Sequence, residues 1–395
     1  MRKTKKFKIT YIINHASFFV SHRLKLFLMA QKKMPAKTSL IIGQAGSLKM
    51  EKDALKILKQ KKISYCKTLF TSSKKKILHD IRGLVQIAKI FQISKPDLIH
   101  SASPKANFFS GIIFLLMNIR SCIWSISGMG YLFTNKNLTL SDRFYKFIFL
   151  ALLFLLKKKK NIYFILQNKF DLKIFNKKVG HKKTVYIPSS GVDFTEFRFK
   201  KNKKNIVVMP SRVLYDKGVE EFVYAAKKLK KKYKDWHFQI IGADDYNNPS
   251  SVPKSKLNEW IKKGYIIWKE YKNNPKFIYQ NASIVCMPSH REGFSKVILE
   301  AGASSLPVVA SNIPGCKEGI VDYETGLLFK VKNHHDLTKK LEILIKNSNL
   351  RNTMGKNGIK FIKQNYDINI VNKKIISVYQ KILNEKKKVN TNSIK

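Results

Sequence analysis

The sequence contains little cysteine. Its 395 residues include four, at Cys66, Cys122, Cys286 and Cys316, which lie far apart and form no Cys-x-x-Cys or Cys/His spacing. A disulfide-stapled secreted scaffold and a zinc site of the usual spacing are therefore excluded. We expect reduced thiols in a cytoplasmic protein.

Acidic residues are also scarce, and arginine is scarcer still. The chain has 25 Asp and Glu against 77 Lys and Arg, for a net charge of +52, but only nine of the basic residues are arginine. Proteins that bind specific nucleic-acid sequences use arginine forks at base edges. A nucleic-acid or anionic-surface binding protein is thus the least favoured alternative, and anionic lipids or phosphate-bearing substrates suit the charge better.

Long apolar runs are missing too. The longest, Phe147–Leu156, has ten residues, whereas about 20 are needed to cross a bilayer. Lys157–Lys160 follow it directly. The 144–160 segment therefore fits either an interfacial helix whose lysines meet anionic headgroups, or an ordinary buried helix. Phe108–Met117 leaves the same two alternatives open.

Apart from these absences, short apolar runs alternate with segments of helical spacing along the whole chain. Predicted strands of the first half are Phe7–Ile13, Ser39–Ile42, Ile63–Tyr65, Asp97–Ser101, Arg120–Trp124 and Asn161–Leu166. Those of the second half are Ile206–Met209, Phe238–Ile241, Ile266–Trp268, Ile284–Met287 and Leu306–Ala310. The alternation predicts an α/β fold with two doubly wound, Rossmann-like parallel sheets.

A turn-rich break near residue 190 separates the two series. We predict an N-terminal domain over 1–188, a C-terminal domain over 189–366, a last helix over 367–384 that crosses back to the first domain, and a loose polar tail over 385–395. Two such domains are expected to face a central cleft at the carboxyl ends of their strands, where open parallel sheets bind ligands.

The most informative segment is Pro288–Ala301, which follows the predicted strand Ile284–Met287. It places Glu292 and Glu300 eight residues apart, which corresponds to about 12 Å along a helix. Carboxylates accept hydrogen bonds from sugar hydroxyls, and a helix N-terminus between them offers N–H groups to an anion. This spacing suits a sugar and a ribose joined by a diphosphate.

This segment resembles the glutamate-x7-glutamate signature of family 4 glycosyltransferases, which are retaining enzymes with the GT-B fold. Further segments resemble that family's other blocks: 188–193, 212–218, 304–310, 313–318 and 325–328. The loop 127–133 is similar to one in members that build envelope polysaccharides. The resemblance covers the whole chain and is most specific between about residues 188 and 330.

The resemblance implies roles for matching residues. Glu292 is expected to bind the donor sugar, and Arg212 and Lys217 the diphosphate, as the catalytic set. On the donor and nucleotide side it implies Glu300, for the ribose, together with Gly293, Phe294, Ser295 and Gly242. Two cations five residues apart at the start of a helix suit a diphosphate on physical grounds as well. Asp-x-Asp is absent, so neither a metal nor another cofactor is expected.

The resemblance also implies that the first domain holds the acceptor. After the first strand, His15, His22 and Arg23 are candidates for an acceptor or phosphate contact, with structural roles as the alternative for the two histidines. The glycine pair that many relatives have in this loop is missing. Many relatives have a His-x-His segment just after the fourth strand. Here His100 aligns with the first position of that segment, but Ala102 occupies the second. Ser103 or Lys105 is the alternative to His100.

These expectations describe a hexosyl- or N-acetylhexosaminyltransferase that moves a sugar from a nucleotide-sugar, expected to be UDP-linked, to a lipid-linked glycan or polysaccharide precursor of the bacterial envelope. We expect it on the inner face of the cytoplasmic membrane, in peripheral contact with anionic lipid. An epimerase or hydrolase of nucleotide-sugars on the same fold is the main alternative.

Overall fold

The computed structural model describes residues 6–44, 48–71, 77–128, 133, 139–200, 202, 204–243, 245, 248–271 and 274–391. The chain divides into two compact units. The first unit consists of Met1–Ser190 and Val371–Lys395, and the second of Gly191–Ile370. Most of the loop 127–133 that resembles envelope-polysaccharide enzymes lies outside the described residues.

The first unit is built on a seven-stranded parallel sheet with the order β3-β2-β1-β4-β5-β6-β7. Its strands are β1 Phe7–Ile13, β2 Ala36–Gln44, β3 Tyr65–Thr71, β4 Leu98–Ala102, β5 Ser121–Ile126, β6 Ile162–Leu166 and β7 Thr184–Tyr186. Its helices are α1 Ala16–His22, α2 Leu24–Lys33, α3 Leu48–Gln60, α4 Ile77–Ser94, α5 Pro104–Leu116, α6 Leu140–Lys158 and α7 Lys169–Val179. The central strands β4 and β5 are buried at every residue, as expected for a sheet covered on both faces.

The second unit has a six-stranded parallel sheet with the order β10-β9-β8-β11-β12-β13. Its strands are β8 Ile206–Pro210, β9 His237–Ile241, β10 Ile267–Lys269, β11 Ile284–Met287, β12 Val308–Ser311 and β13 Gly326–Phe329. Its helices are α8 Val219–Lys232, α9 Lys254–Lys262, α10 Pro275–Tyr279, α11 Lys296–Ala303, α12 Pro314–Lys317, α13 His334–Lys346 and α14 Ser348–Tyr366. Because β9, β8 and β11 are neighbours, the loops after these strands emerge side by side.

Asparagine starts several of these helices. The side chains of Asn168, Asn274, Asn333 and Asn347 each accept a hydrogen bond from a backbone N–H of the following first turn. Such caps satisfy N–H groups that have no partner within the helix. The asparagine-rich composition thus helps to set helix boundaries in both units.

The predicted fold class is confirmed, with a few local differences. β3 begins at Tyr65, where the predicted strand ends, and β13 was not expected. Leu78, Ile81 and Val85 show the helical spacing of α4, but all three are exposed, and the helix buries Ile87 and Phe91 instead. Amphipathic spacing locates a helix but does not say which side meets the core.

The last helix, α15 Ile368–Thr391, continues past the predicted end at 384. From Val371 onward it counts with the first unit, where Ile375, Tyr379 and Leu383 pack into that unit's core. The Tyr379 hydroxyl lies 3.1 Å from the Tyr11 hydroxyl in β1. The chain therefore returns to its first unit, and an apolar helix face with buried polar contacts at Tyr379 holds it there.

Candidate active site

In the second unit, the loops that follow β8 and β11 contact each other through their backbones at the carboxyl ends of the strands. Gly218, which starts α8 after the β8 loop, has φ 75°, and a Cβ placed there would lie 2.1 Å from the carbonyl oxygen of Pro288 in the β11 loop. The His290 N–H donates to the Asp216 carbonyl at 2.9 Å. Only glycine permits this close approach, so the sequence Lys217-Gly218 fixes the spacing between the loops.

This junction brings Lys217 and Glu292 together. The Lys217 Nζ lies 2.5 Å from Glu292 Oε1, and both side chains are largely buried, with 21% and 14% exposure. The pair forms a charge-assisted hydrogen bond, and each side chain balances the other's charge. A catalytic cation and a catalytic carboxylate predicted 75 residues apart in sequence thus share one site.

Arg212, the second predicted diphosphate ligand, lies in the same β8 loop but is about half exposed. Its Nη1 donates to Asp245 Oδ2 at 2.5 Å. The neighbouring Gly242 packs against the β8 loop so closely that a Cβ would lie 1.8 Å from the carbonyl oxygen of Ser211. Gly242 therefore lets the β9 loop lie against the segment that positions Arg212.

The predicted anion-binding turn lies at the start of α11. Ser295 occupies the N-cap position, is 2% exposed, and has no hydrogen-bond partner for its Oγ, while its N–H donates to Gly315. Phe294 packs on Tyr366, with ring centroids 5.3 Å apart, and Gly293 lies partly buried beside it. The turn presents a helix N-terminus together with an unused buried hydroxyl, both of which suit an anion.

Glu300 lies in the middle of α11, where two side chains hold its carboxylate. The Tyr279 hydroxyl donates to Oε2 at 2.8 Å, and Lys296 Nζ lies 3.3 Å from Oε1. Burial and the negative charge of Glu300 raise the pKa of Tyr279 well above its ordinary value, so this phenol remains a donor. A carboxylate has about four acceptor positions, which leaves capacity for ribose hydroxyls.

In the first unit, His15 has a structural role at the start of α1. It is the N-cap, and its Nδ1 accepts from the Phe18 N–H at 3.3 Å. Glu51 accepts from the N–H groups of Ala16 and Ser17 at 2.9 and 3.1 Å. Burial lowers the pKa of His15, partly opposed by Glu51. The protein's own carboxylate therefore already occupies the turn expected to contact an acceptor.

His22 and Arg23 lie at the end of α1. His22 stacks on Phe18 at 4.4 Å between centroids, and its Nδ1 is 2.6 Å from Ser21 Oγ. Arg23 is only 3% exposed; its Nη1 donates to the His22 carbonyl, and its Nε has no partner. Burial lowers the pKa of Arg23. Both residues remain predictions as phosphate contacts, and Arg23 would have to act from inside the unit.

The structure places His100 in the core. It is fully buried in β4, with Nδ1 hydrogen-bonded to the Tyr379 hydroxyl and Nε2 2.7 Å from Ser125 Oγ. Burial lowers its pKa well below the ordinary value, so it is neutral. Its ring links the sheet to α15, and its role as an acceptor contact remains a prediction. Ser103, the alternative, has φ 94° and a buried Oγ without a partner at the start of α5.

The sequence did not point to two residues that contact the predicted set. Asp245 binds Arg212, and Tyr279 binds Glu300. In addition, His290 Nε2 in the β11 loop lies 2.7 Å from Glu221 Oε1 in α8. Burial alone would raise the pKa of Glu221. Hydrogen bonds, chiefly from His290, outweigh burial, so the pKa lies below its ordinary value. Only the position of Asp245 after a predicted strand was a usable signal. Within the described ranges, no three His, Cys, Asp or Glu side chains cluster as metal ligands.

Comparison with known proteins identifies related glycosyltransferases. Residues 193–361 match the family described as "Glycosyl transferases group 1". The chain is 28% identical over 320 residues to the N,N'-diacetylbacillosaminyl-diphospho-undecaprenol alpha-1,3-N-acetylgalactosaminyltransferase of Campylobacter jejuni. This alignment covers 77% of this chain and 82% of that enzyme. It is 24% identical to the capsular polysaccharide biosynthesis glycosyltransferase CapM of Staphylococcus aureus, over 78% and 83% of the two chains.

The chain is a glycosyltransferase with the GT-B fold. Among solved structures, a glycosyltransferase from Rickettsia africae matches with a TM-score of 0.73 at 20% identity, over 97% of this chain and all of the other. Anabaena HepE in complex with UDP matches with a TM-score of 0.74 at 16% identity, over 95% and 100%. The resemblance seen in the sequence is therefore confirmed. The roles predicted for individual residues of this glycosyltransferase remain predictions.

Proposed function

We propose that this glycosyltransferase moves a hexose or N-acetylhexosamine, with retention of anomeric configuration, from a UDP-linked donor to a lipid-linked glycan precursor of the bacterial envelope. The contact between Lys217 and Glu292 is the observation that carries the proposal. It brings together the residue predicted to bind the diphosphate and the residue predicted to bind the sugar. The acceptor named for the Campylobacter relative and the UDP bound to HepE support the two substrate classes.

The proposed chemistry uses groups that are already charged. Arg212, Lys217 and the start of α11 bind the donor diphosphate, and Glu292 binds hydroxyls of the donor sugar. When the bond between the anomeric carbon and the phosphate oxygen breaks, its electron pair goes to that oxygen, and the cations stabilise the charge. The acceptor hydroxyl then bonds to the anomeric carbon on the same face and gives its proton to the leaving phosphate.

The contact between Lys217 and Glu292 fits this sequence of events. On donor binding, Lys217 is proposed to turn to phosphate oxygens and Glu292 to sugar hydroxyls. Charged groups in a partly buried site need hydrogen-bonding partners. The two side chains neutralise each other, and they would exchange their mutual hydrogen bond for two substrate contacts.

A panel of UDP-, GDP- and ADP-sugars tests the donor, with thermal stabilisation of the purified protein as the measurement. We expect stabilisation by UDP-sugars above the others. Transfer to an undecaprenyl-diphosphate-linked sugar, with the product's anomeric configuration read by NMR, tests acceptor and stereochemistry. Donor turnover with water as fast as with any acceptor would favour the hydrolase alternative, and an inverted product would exclude retention.

The proposed membrane contact uses the exposed side of α6. Leu140, Phe144 and Phe147 are 84%, 62% and 69% exposed, and Phe154 and Leu155 are about half exposed. Their spacing places them along one side of the helix. At the C-terminal end of that side, the Nζ atoms of Lys157 and Lys158 lie 4.5 and 4.9 Å from the Phe154 ring centroid.

A second apolar stripe extends this face. Leu78, Ile81 and Val85 of α4 are exposed, and α5 packs against both α4 and α6, so the two stripes lie in one helical layer.

In contrast, α5 buries Phe109, Ile113 and Phe114, which makes 108–117 an ordinary core helix. No helix in the described parts of the chain is long and apolar enough to cross a membrane. An apolar face bordered by lysines suits shallow insertion among anionic headgroups.

Vesicle co-sedimentation tests this contact. We expect binding to vesicles that contain phosphatidylglycerol, weaker binding to pure phosphatidylcholine, and loss of binding for Phe144→Glu/Phe147→Glu. Ile343→Glu, on a partly exposed residue of the second unit, is the matched control and should bind like the wild type. Equal binding of all variants would exclude α6 as the contact surface.

A further inference from the structure

We propose that Tyr279 is a positioning residue for nucleotide recognition: its hydroxyl holds the Glu300 carboxylate in the orientation that accepts the ribose hydroxyls of the donor. The inference rests on the proposed function, because it takes Glu300 as the ribose ligand. It adds a residue outside the glutamate-x7-glutamate segment, 21 residues earlier in the sequence.

The position of Tyr279 is fixed by packing. It ends the short helix α10, is completely buried, and belongs to the same apolar cluster as Leu299 and Ala301 of α11. Its ring centroid lies 6.0 Å from that of Phe197. Because the ring is fixed on all sides, the hydroxyl points at one place, Glu300 Oε2, at 2.8 Å. A buried phenol of this kind needs a partner, and here the partner is a predicted ligand of the donor.

Glu300 itself has more freedom. It lies on the helix surface with 15% exposure, and its other oxygen lies 3.3 Å from Lys296, four residues earlier on the same helix. Lysine is a flexible, hydrated point charge and sets an orientation poorly. A short hydrogen bond from a rigid phenol to an ionised carboxylate is charge-assisted, and the fixed ring makes it more directional. Tyr279 therefore restricts the rotamer of Glu300 before the nucleotide arrives.

Tyr279→Phe tests this role because it removes one oxygen and keeps the ring. The chain offers a matched control: the Tyr233 hydroxyl donates to Glu342 Oε1, also at 2.8 Å, on the surface of the same unit. Tyr233→Phe thus makes the same chemical change at a tyrosine–glutamate hydrogen bond unconnected with the donor. The measured quantity is the ratio of Kd values for 2′-deoxy-UDP or 3′-deoxy-UDP to that for UDP, by calorimetry.

For the wild type we expect a ratio of about 10- to 100-fold for at least one of the two analogues, the range for a hydrogen bond to a charged group. Glu300→Ala should bring the ratio close to one. Tyr279→Phe should reduce it to roughly a third or less by weakening UDP binding, with the deoxy analogue bound as before. Tyr233→Phe should keep the wild-type ratio. If Tyr279→Phe does not fold, Tyr279→Met, which repacks more easily, replaces it.

Two failures are distinguishable. An unchanged ratio in Tyr279→Phe, alongside the expected loss in Glu300→Ala, would overturn the positioning role and leave the proposed function intact. A wild type that binds UDP and its deoxy analogues equally, or an unchanged ratio in Glu300→Ala, would overturn the ribose assignment and the role of Tyr279 with it. Equal weakening of all three nucleotides by Tyr279→Phe would indicate a merely structural tyrosine and also overturn the inference.

Discussion

The two units of this glycosyltransferase treat their predicted site residues differently. In the second unit, Lys217 and Glu292 meet in a partly buried contact, and Glu300 is held by Tyr279 with acceptor capacity left. In the first unit, His15 caps a helix, and the fully buried His100 links β4 to α15. The predicted donor residues Lys217 and Glu292 pair with each other, whereas His15 and His100 of the first unit are committed to bonds that hold the fold.

The difference follows from how each set is built. In the second unit, the predicted charges lie in loops directly after adjacent strands, where backbone contacts between the loops leave the side chains at the surface of the site. His100 lies within a strand, and a polar residue within a central strand of a covered sheet must find its partners inside. Position relative to the strand end therefore distinguishes the buried His100 from the predicted donor residues.

The largest predicted effect concerns Glu292 and Lys217. Glu292→Ala and Lys217→Ala should each reduce turnover by at least about 100- to 1,000-fold, because Lys217 is proposed to stabilise charge on the leaving phosphate and Glu292 to hold the donor sugar in place. Turnover with the true donor and acceptor is the measurement, and circular dichroism should show a folded protein. Glu342→Gln, on the surface of α13, serves as control. Wild-type turnover in both site variants would refute the assignment.

A smaller effect is expected at Arg212. Its guanidinium is half exposed and is one of the two cations proposed to bind the diphosphate, so Arg212→Ala should weaken donor binding by about 10- to 100-fold. Asp245→Asn, which keeps the shape of the partner but removes its charge, should leave the fold intact and change the affinity by less. If Asp245→Asn weakened donor binding more than Arg212→Ala, the diphosphate contact would not be made by Arg212.

His100 provides the sharpest way to break the comparison between the units. His100→Ala removes the partner of the buried Ser125 hydroxyl and one of the two partners of the Tyr379 hydroxyl, so the free energy of unfolding should fall by about 1–3 kcal/mol. Turnover per folded molecule should stay near that of the wild type. Denaturant unfolding and kinetics on the same sample measure both. A loss of turnover without a loss of stability would make His100 a catalytic residue after all.

The smallest effect is expected at Glu51. Glu51→Ala removes the carboxylate that accepts two N–H groups at the start of α1, so the free energy of unfolding should fall by about 1 kcal/mol. Because the charge of Glu51 favours the imidazolium form, the pKa of His15 should fall further below its ordinary value, which an NMR titration of that ring would show. An unchanged titration would mean that the two groups are not coupled.

Much of the fold could be predicted from the sequence, since buried parallel strands appear as short apolar runs between segments of helical spacing. Arg212, Lys217, Glu292 and Glu300 could be proposed as donor ligands as well, because they follow or enter elements at recognisable places. Their partner Tyr279 could not be predicted, and Asp245 was marked only by its position after a strand, since nothing in local sequence says which distant side chain will contact a given one. The direction of the exposed stripe on α4 was equally hidden, because spacing shows a face and tertiary packing decides which face is buried.

Most of the proposed function depends on one interaction: a donor diphosphate that binds between Arg212, Lys217 and the start of α11. Calorimetric titration of UDP into the wild type and into the Arg212→Ala/Lys217→Ala variant tests it most directly. We predict measurable binding by the wild type and a loss of at least about 100-fold in the double variant, with its fold unchanged. Equal affinity of the two proteins for UDP would contradict the claim.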